Sequence, residues 1–73
     1  MSEHVFILMR EVEVEPLGGE SIELQSVFGS LEGAKGAGLD WKRDTHDGQP
    51  INSWTAIDGA GVKWIIERWE VRA

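Results

Sequence analysis

His4-Val5-Phe6-Ile7-Leu8-Met9-Arg10-Glu11-Val12-Glu13-Val14 runs through five consecutive apolar residues and ends in strict alternation of glutamate and valine. A period of two places successive side chains on opposite faces of a pleated ribbon, so residues 4–14 are expected to form a strand. The second half has a valine face and a glutamate face, whereas the first half is apolar on both. Pro16, Gly18 and Gly19 then interrupt the pattern, because proline lacks a ladder donor and glycine permits a turn. Alternation resumes over residues 21–28, with Ile22, Leu24 and Ser26 on one side and Glu23, Gln25 and Val27 on the other. The two segments read as a hairpin.

Gly29 ends that second strand, and Ser30 is placed to cap a helix starting at Leu31, with Glu32 in its first turn. The expected apolar stripe is Leu31, Ala34, Ala37 or Gly38, and Trp41, a helix of about ten residues by its periodicity. Gly33, Gly36 and Gly38 weaken it by about 1 kcal/mol each relative to alanine, which suggests close approach to a sheet. Residues 42–53 are polar, contain Asp47-Gly48 and Pro50, and show no period, so they read as one long loop. Residues 54–57, the turn Asp58-Gly59-Ala60-Gly61 and residues 62–71 form a second hairpin. The expected fold class is α+β, a four-stranded antiparallel sheet of two hairpins with one helix packed on one face, in the order β-β-α-β-β.

The length of 73 residues allows one domain, residues 1–73, and a core too small to leave more than about 3–5 kcal/mol of net stability. The chain has no cysteine, so neither a disulfide nor a thiolate metal site can reinforce it. Four tryptophans and two phenylalanines must supply the packing, and each indole N–H needs an acceptor. Thirteen acidic residues against seven basic ones, a net charge of −6, oppose binding to a phosphate backbone and favour a basic protein partner. No apolar run is long enough for a transmembrane helix, and Met1-Ser2-Glu3-His4 lacks the basic start of a secretory signal, so a cytoplasmic location is expected.

A parity conflict in the strands points to a partner. Trp64 and Trp69 are an odd number of residues apart, so an unbroken strand projects them from opposite faces. Likewise Val5, Ile7 and Met9 oppose Phe6 and Leu8, and one helix covers only one face. Either a bulge near Glu67 or Arg68 brings the tryptophans to one side, or the second face is buried against another molecule, most economically in a two-fold dimer. The candidate interaction surface is Phe6, Leu8, Trp64 and Trp69.

Chemistry-bearing clusters are sparse. Asp44-Thr45-His46-Asp47 gathers two carboxylates and an imidazole, but on a segment read as a solvated loop, so no metal site is assigned. The glycine-rich run 29–38 lacks the spacing of either a phosphate loop or a dinucleotide fingerprint. No serine is placed beside a histidine, and neither a catalytic residue nor a cofactor is expected. Glu11, Glu13 and Glu15 form an acidic row that cross-strand pairing explains, or that imitates a phosphate backbone to occupy a nucleic-acid-binding groove.

Val5-Phe6-Ile7-Leu8, then Val27-Phe28-Gly29-Ser30-Leu31-Glu32-Gly33-Ala34-Lys35, then Trp64-Ile65-Ile66-Glu67-Arg68-Trp69-Glu70-Val71 together resemble small uncharacterised α+β domains of tailed phages and bacteria. The glycine-rich helix departs from that pattern. The resemblance implies an accessory or host-directed phage protein acting in the host cytoplasm, and it carries over no catalytic residue. The expected function is therefore non-enzymatic: self-association, as a homodimer, or binding of a host protein. The alternative is an acidic inhibitor that mimics nucleic acid and occupies a basic DNA- or RNA-binding protein.

Overall fold

The computed structural model describes residues 2–14, 19–36 and 38–72, and of residues 2, 13, 14, 20 and 72 the backbone only. The chain forms β1 (Ser2–Val14), β2 (Gly19–Phe28), a short helix α1 (Leu31–Lys35), β3 (Lys42–His46), β4 (Gln49–Ile57) and β5 (Lys63–Arg72). All five strands belong to one antiparallel sheet in the order β2-β1-β5-β4-β3. The first and last strands are therefore neighbours at its centre, paired from Ser2↔Arg72 to Arg10↔Trp64. The class is α+β, with five strands where four were expected.

The additional strand comes from the segment read as a loop. Residues 42–53 contain β3 and the first half of β4, joined at Asp47-Gly48. Asp47 and Gly48 have φ of 51° and 78°, the left-handed pair that a two-residue hairpin turn requires. This hairpin hides from a hydrophobicity reading because its strands are polar on both faces near the tip. The Asp-Gly step is its only local signal.

The helix is five residues long, half of what the periodicity implied. Ser30 caps it as expected, its Oγ accepting from the Gly33 N–H at 3.1 Å. Gly36, with φ of 60°, ends it. A side chain at Gly36 or Gly38 would meet open space, so these glycines serve the backbone conformation and not close packing; Gly38 has φ of 97°. Only Gly33 fits the packing argument, since a Cβ there would lie 3.1 Å from Ser30 Oγ and 3.5 Å from the Phe28 ring. Trp41 is not on the helix. It returns from the loop and its Nε1 donates to the Lys35 carbonyl at 3.0 Å, satisfying one of the acceptors that a helix end leaves free.

The core lies between α1 and one face of the sheet. Ala34, Trp54 and Ile66 are buried at its centre, and Phe6, Leu8, Phe28, Leu31 and Trp41 pack around them. The Phe6 and Trp54 rings meet at 6.1 Å between centroids, tilted by 57°. A single helical turn cannot cover a five-stranded face, and two arginines extend the cover. The Arg43 guanidinium lies 5.2 Å from the centre of the Trp54 ring, and that of Arg10 lies 5.8 Å from Trp64. Arg43 is held there by Nε donating to the Ile51 carbonyl at 2.8 Å, and Arg10 by Glu23 at 3.4 Å.

Candidate functional site

The opposite face of the sheet has no such cover. Directly paired residues share a face, so the register assigns each side chain. Phe6, Leu8 and Arg10 of β1 stand with Trp64 and Ile66 of β5, and with Trp54 and Ala56 of β4, on the helix side. Val5, Ile7 and Met9 stand with Trp69, Glu67 and Ile65 on the open side. Neither register involving β5 shifts, so no bulge rescues the parity of Trp64 and Trp69. They occupy opposite faces.

A bulge does occur, in β2. Leu8 pairs with Ser26, but Met9 pairs with Leu24, leaving Gln25 as an extra residue. That residue reverses the alternation, so Val27, Leu24 and Ile22 all fall on the open face, opposite Ile7, Met9 and Glu11. A simple period of two had separated Val27 from the other two. Seven large apolar side chains are exposed among the described residues: Ile22, Leu24, Val27, Ile51, Ile57, Trp69 and Val71. Six of them stand on the open face by their pairing; Ile51 lies where the register between β3 and β4 is irregular.

The open face has an apolar half and a polar half. Over β2, β1 and β5 the apolar side chains are Ile22, Leu24, Val27, Val5, Ile7, Met9, Ile65, Trp69 and Val71, with Glu3, Glu11, Lys63 and Glu67 on the same face. Over β4 and β3 the side chains are polar apart from Ile57 at the end of β4. Asp44 accepts from Ser53 Oγ at 2.8 Å and from Thr55 Oγ1 at 2.9 Å, which removes its carboxylate from the loop cluster of residues 44–47. His46 and Asp47 remain at the hairpin tip, 3.4 Å apart and exposed. Among the described residues no group of three histidines and carboxylates is placed to hold a metal ion.

Of the four residues expected to form the interaction surface, the structure puts Phe6 and Leu8 against the core and Trp64 beneath Arg10, and only Trp69 on the open face. Trp69 is 55 % exposed and its Nε1 donates to Glu67 at 3.2 Å. The aromatic residues drew attention by size, whereas the open face is mainly aliphatic. Of the acidic row, Glu11 lies on the open face with its carboxylate 3.8 Å from Lys63 Nζ. The Glu13 side chain and Glu15 lie outside the described residues.

Two further features border this face. The turn between β4 and β5 is organised by Asp58, whose Oδ1 accepts from the backbone N–H groups of Ala60 at 2.9 Å and Val62 at 3.0 Å. Its Oδ2 accepts from Trp64 Nε1 at 3.0 Å. The indole bond, then the backbone donors, hold the Asp58 carboxyl below its ordinary value. Beside this turn, β1 continues past the start of β5, leaving an open groove lined by Arg10, Glu11, Val12 and residues 60–63. Glu11 and Lys63 pair with each other across it, so it presents little uncompensated charge.

Comparison with known protein families, with curated proteins and with solved structures returned no match for this chain. Among the described residues no helix is long and apolar enough to cross a membrane.

Proposed function

We infer that the chain is a non-enzymatic protein-interaction module whose open sheet face is its binding surface. One observation carries this reading: six of the seven exposed large apolar side chains gather on a single face, while the other face is covered by a helix and two arginines. Soluble domains seldom leave a contiguous apolar patch of more than a few hundred Å² without a partner. A phage-type accessory protein that self-associates or binds a host protein in the cytoplasm fits both this surface and the sequence resemblance. The nucleic-acid mimic has weaker support, because Glu11 is engaged by Lys63 on the same face as the aliphatic patch.

The test compares two sets of variants. Ile22→Glu with Leu24→Glu places charge in the apolar half, at positions solvent-exposed in the free chain. Replacing Glu11, Glu13 and Glu15 by lysine reverses the acidic row. Loss of binding in the first set alone, with the circular dichroism spectrum unchanged, supports the open face. Loss in the second set alone supports the mimic and overturns the interaction-face reading.

A further inference from the structure

We propose that the occupant of the open face is a second copy of this chain, stacked face to face across a two-fold axis to form a β-sandwich whose outer surfaces carry the two helices. The inference rests on reading that face as an interaction surface. The first argument is the thinness of the core: among the described residues only Ala34, Trp54, Ala56 and Ile66 are buried apolar residues, and two of these are alanines. A chain of this length without cysteine usually needs association or another staple to be stable. A second copy is the one partner present whenever the chain is made.

Area supplies the second argument. The exposed parts of Ile22, Leu24, Val27, Trp69 and Val71, the open-face side chains over β2 and β5, amount to on the order of 500 Å², the larger part of the ~800 Å² that each partner contributes to a standard interface. The half-buried Ile7, Met9 and Ile65 lie among them and add to it. Shape and charge agree. Two twisted antiparallel sheets with apolar inner faces stack about 10 Å apart with their strands roughly aligned. Three carboxylates on this face are already engaged within the monomer, Glu11 by Lys63, Asp44 by two hydroxyls and Glu67 by the Trp69 indole, while Glu3 stands near the end of β1 opposite Val71. The apolar half over β2, β1 and β5 can overlie its equivalent, while the polar half over β4 and β3 projects beyond the contact.

Sedimentation equilibrium of the full chain from about 1 µM to about 1 mM tests the proposal. The expected result is a dimer that Leu24→Glu weakens by about 100-fold or more, since the substitution counts once in each copy and buries a carboxylate against an apolar surface. Ser21→Glu, on the same strand but the helix-side face, is expected to leave the dimer unchanged. A monomer throughout the range overturns the second copy, but leaves the interaction reading to the variant comparison above. A dimer unaffected by Leu24→Glu overturns face-to-face stacking and likewise leaves the interaction reading to that comparison. Equal loss in Leu24→Glu and Ser21→Glu assigns the contact to the β2 edge and overturns face-to-face stacking.

Discussion

Trp64 and Trp69 stand on opposite faces of one uninterrupted strand, the first with its indole bonded to Asp58 beneath Arg10 and the second open to solvent beside Glu67. Their separation divides the protein into a side that holds it together and a side that is left available. On the first side the tryptophans are structural. On the second the strand presents a large side chain that the fold itself does not use.

Trp54→Ala is expected to unfold the protein. Removing a buried tryptophan costs about 3–5 kcal/mol, as much as the whole net stability of a domain this small. Trp69→Ala should keep the native circular dichroism spectrum while weakening association. Urea titration of both variants, followed by far-ultraviolet circular dichroism, checks the contrast.

Asp58 gives a pH dependence whose sign is determined. Its folded-state carboxyl lies below the ordinary 3.8, so the unfolded chain binds the proton more readily. The stabilisation is present above pH 3.8 and is lost as pH falls through the lower folded value. Asp58→Asn should reduce the urea midpoint at neutral pH, and the difference from wild type should shrink in acid below pH 3.8. Equal pH profiles for the two proteins would sink this assignment.

The turn at Asp47-Gly48 needs left-handed backbone at both positions. Gly48→Ala places a Cβ in that conformation and is expected to cost about 1–2 kcal/mol. Asp47→Asn, which tolerates positive φ at least as well, should be neutral within about 0.5 kcal/mol. Thermal unfolding of the two variants separates the outcomes.

Helix α1 depends on its ends more than on its interior. Ser30→Ala removes the bond to the Gly33 N–H and should destabilise by about 1 kcal/mol. Trp41→Phe keeps most of the apolar contact but loses the bond to the Lys35 carbonyl, with an expected cost of about 0.5–1.5 kcal/mol. Hydrogen exchange at the Ala34 amide, which donates to the Ser30 carbonyl at 3.1 Å, should accelerate in both.

Much of the fold is legible in local pattern. Alternation and turn residues place β1, β2, the Asp58 turn and β5 to within a few residues, and Ser30 marks the helix start. The β3–β4 hairpin is not legible by the same means, because its polar strands lack a hydrophobic period and only Asp47-Gly48 betrays it. The helix is overextended by periodicity because Gly36 and Gly38 act through φ, which composition expresses only as reduced propensity.

The candidate surface divides in the same way. Composition and strand periodicity already place apolar residues on both faces of the strands in a chain without cysteine, with one helix to cover one of them. Which face is covered was decided by tertiary structure. Ala34 docks against Trp54 and Ile66, and that choice packs Phe6 and Leu8 against this cluster while leaving Val5, Ile7 and Met9 on the open side. The bulge at Gln25 then adds Val27 to Leu24 and Ile22. Strand periodicity states only that two residues differ in face; the choice of face belongs to packing between segments distant in sequence, where burial of Trp54 and Ile66 outweighs any local preference.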